Sequence, residues 1–148
     1  MREIFADTAY WIALTNLLDQ HHVAALQASS SIGTARIVTT DAVLTEYLNA
    51  LAARGETLRQ AAIKSMEAIL ANPAVTVVGH TRKSFLDGFA LYKARPDKGY
   101  SLTDCFSMML MRKRKITQVL TTDRHFEQEG FVPIMVTSVR HKSARRKG

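Results

Sequence analysis

Residues 98–126 read KGYSLTDCFSMMLMRKRKITQVLTTDRHF. Within it, Ser101-Leu-Thr-Asp104 has the spacing of a capping box, with the serine hydroxyl as cap and the acid at the third helical position. The helix this predicts, TDCFSMMLMRKR, leads into an apolar, β-branched run, ITQVLTT (116–122), which reads as a strand. Asp104 thus sits just inside a helix and Asp123 just past a strand. Each acid has an ordinary use as a cap, worth about 1 kcal/mol. Whether they do more depends on whether other acids converge on the same place.

Working outward, strands and helices alternate. EIFA (3–6) reads as a buried strand ending at Asp7, followed by helical TAYWIALTN and a second helix, DQHHVAALQASSS, capped near Asp19. RIVTT (36–40) is a strand. In DAVLTEYLNALAARG, residues Val43, Leu44, Tyr47, Leu48 and Leu51 fall at helical spacings, with Gly55 as the stop. ETLRQAAIKSMEAILANP is another amphipathic helix, ended by Asn72 and Pro73. Then come strand VTVVG (75–79), helix TRKSFLDGFALYKARPD with Phe85, Phe89 and Tyr92 on one face, and a last strand, VPIMVT (132–137). The alternation predicts an α/β fold: a three-layer α/β/α sandwich around a mostly parallel sheet of four to five strands.

Composition agrees. With 148 residues, 47% hydrophobic and 22% charged, the chain reads as one soluble domain, residues 1–139, with a basic tail, residues 140–148. No apolar run approaches the ~20 residues that cross a bilayer, and the N-terminus lacks a signal-peptide cleavage site. The single cysteine, Cys105, excludes an internal disulfide and a cysteine-rich zinc site, and fits a reducing cytoplasm. Of the net charge of +7, the tail RHKSARRKG carries +5, and a second basic cluster, RKRK, spans residues 112–115. Such clusters are either solvated ends or attractors of phosphate.

In a parallel α/β sheet, ligands bind at the carboxyl ends of the strands. Asp7 follows the first strand and Asp123 the fourth, while Asp104 lies in the first turn of the helix feeding that fourth strand. Glu46 lies on the helix that leaves the second strand, near its apolar face, where an unpaired carboxylate is costly. If these elements are neighbours, four acids face one cleft. Clustered carboxylates repel, and a hard divalent cation, Mg²⁺ or Mn²⁺, resolves the conflict. The five histidines are read as surface imidazoles, Trp11 as core, and Cys105, Met108, Met109 and Met111 as packing.

The set FADTAYWIAL, TTDAVLTEYLNAL, SLTDCFSMML and VLTTDRHFEQEGF resembles the PIN (PilT N-terminus) domain, and closely its VapC-type toxins, over roughly residues 2 to 137. The resemblance implies a magnesium-dependent ribonuclease with catalytic acids Asp7, Glu46, Asp104 and Asp123. Asp7, Asp104 and Asp123 would hold Mg²⁺ (or Mn²⁺), and Thr8, Ser101 and Thr122 would support the site. Lys98, Arg112 and Arg124 are candidates for RNA contact. It further implies a cognate antitoxin and a homodimer; the amphipathic helix TLRQAAIKSMEAIL has enough apolar surface to serve, although packing on its own sheet is the better reading. A PIN nuclease of RNA processing without an antitoxin, and a catalytically silent nucleic-acid-binding module, are the alternatives. A small-substrate phosphatase finds no phosphate-cradling glycine loop to support it.

Overall fold

The computed structural model of the chain describes residues 1–135; the basic tail and the end of the last expected strand lie outside them. Five strands form one all-parallel sheet in the order β3-β2-β1-β4-β5, with β1 Glu3–Ala6, β2 Arg36–Thr40, β3 Val75–Val78, β4 Gln118–Leu120 and β5 Val132–Pro133. Between β1 and β2 lie α1 (Thr8–Thr15) and α2 (His22–Ser31); between β2 and β3, α3 (Asp41–Leu51) and α4 (Glu56–Ala71). Helices α5 (Arg82–Ala94) and α6 (Leu102–Arg114) connect β3 to β4, and α7 (His125–Gln128) connects β4 to β5. The chain winds from β1 outward to β3, then crosses back over β1 to β4. Right-handed crossovers therefore put α1–α4 on one face of the sheet and α5 with α6 on the other. The result is the expected three-layer sandwich.

The central strand is its core. Ile4, Phe5 and Ala6 are buried, and around them pack Val38, Leu44, Tyr47, Leu51, Met108, Met111, Val119 and Phe126. Trp11 is buried as expected and its indole N–H donates to Thr39 Oγ1 at 3.3 Å. Cys105 and Met108 are core residues, and among the described residues no helix is long and apolar enough to cross a membrane.

Several local expectations shift. β4 is three residues, not seven, because its flanks are used elsewhere. Lys115 adopts a left-handed conformation (φ 58°) and the Ile116 N–H closes back onto Met111 O at 2.8 Å, a Schellman-type stop for α6. At the other end Thr121 turns inward. Gly55 does not end α3; it stands before α4 with φ 99°, which favours glycine. Asp19 accepts from the His21 N–H at 2.8 Å in the turn before α2.

α5 also sits differently from its apolar pattern. Its buried positions are Gly88 and Leu91, whereas Phe89 and Tyr92 point outward. The helix rotates this way because Gly88 lets α5 approach α6: a Cβ at Gly88 would lie 2.2 Å from Phe106 Cδ1 and 3.2 Å from Phe106 N. Gly88→Ala is therefore expected to lower stability by about 1–2 kcal/mol, the overpacking cost outweighing alanine's better helix propensity. A denaturant midpoint unchanged or raised by this substitution would refute the close approach.

Candidate active site

The strand order reverses between β1 and β4, so the loops leaving these two strands open a crevice at the carboxyl edge of the sheet. Asp7 immediately follows β1, and its N–H donates to Leu120 O at 3.1 Å, which ties it to the end of β4. Its carboxylate is buried (residue 5% exposed) and accepts from Thr121 Oγ1 at 2.8 Å. The same Thr121 hydroxyl accepts from the Asp123 N–H at 3.0 Å. One buried hydroxyl thus positions two acids. The family resemblance had implied this support from Thr122; the pleat turns the neighbouring Thr121 inward instead.

Asp104 arrives from the other layer through the expected capping box. Ser101 Oγ accepts from the Asp104 N–H at 3.0 Å, and Asp104 Oδ2 accepts from the Ser101 N–H at 3.1 Å. The reciprocal bonds fix the carboxylate in the first turn of α6, where the helix dipole favours negative charge. Thr8 donates from Oγ1 to Val43 O at 3.5 Å, linking the start of α1 to α3.

The three aspartates lie close enough for their charges to act on one another. Burial first, then the charge of Asp104 and, more weakly, of Asp123, pushes Asp7 up to about 7 despite the bonds from Thr121 and the Thr8 N–H. Burial, then the charge of Asp123, pushes Asp104 up to about 6 against its bonds to Ser101. A cation bound there would relieve the part of these shifts that comes from mutual repulsion.

His125 belongs to this cluster, contrary to its reading as a surface imidazole. Asp123 Oδ1 accepts from the His125 N–H at 2.9 Å, in a tight turn that swings the imidazole back over the acids. Nδ1 lies 3.1 Å from Asp123 Oδ1 and 3.7 Å from Asp104 Oδ2, and the ring meets Tyr100 edge-on at 5.4 Å. Asp104, Asp123 and His125 each present a ligand atom within 4.8 Å of the others. The D-x-H spacing of TTDRH is the sequence signal that could have found it.

Glu46 is placed differently from its expected setting. It is exposed, on α3 one turn beyond Val43, so the expected strain of a carboxylate on an apolar face is absent. Each of the three candidate RNA-binding cations lies near an acid. Arg112 pairs with Glu129, far up α6 from Asp104; Arg124 Nη1 lies 3.3 Å from Glu127, and Lys98 Nζ lies 3.9 Å from Asp97. Glu129 is an anchor that sequence reasoning missed. Its buried carboxylate also holds Arg95 Nε at 2.6 Å and the Tyr100 hydroxyl at 3.0 Å. Burial alone would raise Glu129, but the bonds from Arg95 and Tyr100 hold it below its ordinary value.

No protein-family model matches the chain, and no curated protein matches it. Among solved structures it is similar to VapC20 of Mycobacterium tuberculosis, a sarcin–ricin-loop-cleaving toxin. The two are 29% identical over 87% of this chain and 96% of that one, with a TM-score of 0.79. VapBC2 of Rickettsia felis, bound to a DNA fragment from its promoter, shares the fold at 12% identity, over 88% of this chain and 96% of that one (TM-score 0.62). PAE2754 of Pyrobaculum aerophilum shares it at 15% identity, over 96% of each chain (TM-score 0.57).

Proposed function

We propose that the chain is a PIN domain of the VapC type and, from that premise, a divalent-metal-dependent ribonuclease, the toxin of a toxin–antitoxin pair. The observation that carries the reading is the convergence of Asp7, Asp104 and Asp123 at the crevice between β1 and β4, with burial and mutual repulsion raising Asp7 and Asp104. Asp7, Asp104 and Asp123 would hold Mg²⁺ or Mn²⁺, and their oxygen-only donor set suits such hard ions. When bound, the ion supplies charge neutralisation at the phosphate and a lowered pKa for water.

The chain's own residues divide the remaining work. Thr121 and Ser101 keep the carboxylates in place by the bonds described above. Asp123, half-exposed beside His125, stands on the solvent side of the cluster, where an attacking water would be oriented. Glu46, exposed on α3, would complete the acidic set. Lys98 and Arg124, only loosely paired, remain candidates for phosphate contact; Arg112, held by Glu129, is the weakest of the three. A cognate antitoxin and a homodimer belong to the same reading, and α4 leaves Ile63 and Leu70 exposed for such contacts.

The test is cleavage of RNA by purified protein with Mg²⁺ or Mn²⁺ and with EDTA. Sarcin–ricin-loop RNA, the target named for VapC20, would be run alongside total RNA. Discrete cuts that vanish on chelation are expected. Binding that survives EDTA with RNA left intact under either ion would instead favour a silent binding module.

A further inference from the structure

Beside the acidic crevice lies an open groove of about 480 Å³ whose lining includes Phe89, Tyr92, Lys93, Pro96, Gly99 and Tyr100. We propose that it is a base-stacking subsite for a single-stranded stretch of nucleic acid whose backbone continues into the acidic site. This rests on the nuclease reading above and adds to it where the substrate is gripped and what form it takes.

Three observations carry it. First, Phe89 and Tyr92 are exposed large aromatics, 40% and 49% accessible, with ring centroids 6.5 Å apart and planes within 26° of parallel. Their outward pose is enforced, since the opposite side of α5 is committed to α6 through Gly88. Second, the surroundings are cationic. Lys93 Nζ lies 4.9 Å from the centre of the Phe89 ring, and with Arg95 and Lys98 it makes three cations against two acids, Asp97 and the Glu129 that holds Arg95, a net +1. Aromatic faces interleaved with Lys and Arg are the recurring means of holding unpaired bases on a charged backbone, whereas an uncharged partner has no use for the cations. Third, the groove is continuous with the site. A Cβ at Gly99 would lie 3.8 Å from His125 Nε2, Tyr100 packs on the His125 ring, and His125 Nδ1 lies 3.7 Å from Asp104. A strand with a phosphate at the acids therefore has its neighbouring nucleotides at the groove.

The test measures affinity of the full chain, in EDTA, for a labelled single-stranded RNA of about 12 nucleotides and for the same sequence as a blunt duplex. Phe89→Ala and Tyr92→Ala are each expected to raise the Kd for the single strand at least about fivefold. Duplex affinity should change less than about twofold, and the thermal midpoint, for these exposed positions, should stay put. Phe89→Trp should retain single-strand binding. Unchanged single-strand affinity in both alanine variants overturns the proposal. So does unchanged affinity joined to a loss of self-association in sedimentation, which would make this face a protein contact. Equal losses for single strand and duplex overturn it as well. The nuclease reading is scored separately by wild-type cleavage in Mg²⁺ or Mn²⁺. Cutting by wild type with unaffected alanine variants removes the groove alone; no cutting with the expected binding losses removes the nuclease alone.

Discussion

Asp104→Asn is expected to lower metal-dependent RNA cleavage roughly a thousandfold or more while leaving the fold at least as stable, and Asp7→Asn to do the same. The substitution isolates charge from shape. Asparagine's carbonyl oxygen can still accept from the Ser101 N–H at position 104, or from Thr121 Oγ1 at position 7, so the bonds that organise the site persist. The negative charge needed to hold a cation does not. Removing it also relieves a buried, mutually repelling pair, so the unfolding midpoint without metal at neutral pH should rise in both variants. Loss of activity alone has many causes; loss of activity with gained stability has few. Glu46→Gln, at an exposed position, should give a smaller loss and no gain in stability. Near-full cleavage by either asparagine variant would remove the aspartates from the mechanism.

Stability in EDTA should fall as pH rises from about 4.5 to 8, and Mg²⁺ should restore it at the upper end. Folding raises Asp7 to about 7 and Asp104 to about 6, from about 3.9 in an unfolded chain. Between those values the native state binds more protons than the unfolded state, so its stability declines with pH. The contribution is complete below pH 4, where both states are protonated, and lost once pH passes the folded values. Its size is on the order of a few kcal/mol, shared between the two because part of each shift is their common repulsion. Glu3 and Glu129, held low by Arg114 and Arg95, act oppositely and only in acid. Above pH 7 both aspartates are ionised and ready to bind a cation, so saturating Mg²⁺ recovers stability by mass action, about 2.7 kcal/mol at a hundred times its Kd. Urea unfolding across this range, with EDTA and with Mg²⁺, measures both effects. A flat profile in EDTA, or no response to Mg²⁺ at pH 8, would contradict the charge coupling of the three aspartates.

Much of the fold is written in short-range patterns. The capping box at Ser101 and Asp104 needs only a separation of three residues and a helix to begin there, and both partners bond as their spacing predicts. Strand–helix alternation implied a parallel sheet covered on both faces, and β1, β2 and β3 fall close to where their β-branched runs lie. Asp7, Asp104 and Asp123 could be singled out because each stands at a strand end or helix start, positions that parallel topology brings to one edge.

Sequence by itself thus determined the elements, the layers and the acids at their ends, since each is governed by residues within about one helical turn. What only the tertiary structure decided depends on chain segments far apart. Thr121 rather than Thr122 supports Asp7 because the end of the β4 ladder, set by pairing with β1, selects which side chain faces inward. Glu129 gathers Arg95, Tyr100 and Arg112 from other elements, and so takes up a cation that had looked free for RNA. The turn after β4 delivers His125 to the acids, and the docking of α3 leaves Glu46 in solvent. Gly88, by admitting Phe106, sets the rotation of α5 and turns Phe89 and Tyr92 outward. Hydrophobic periodicity marks which side chains are able to be buried; the closest approach between two helices decides which of them are.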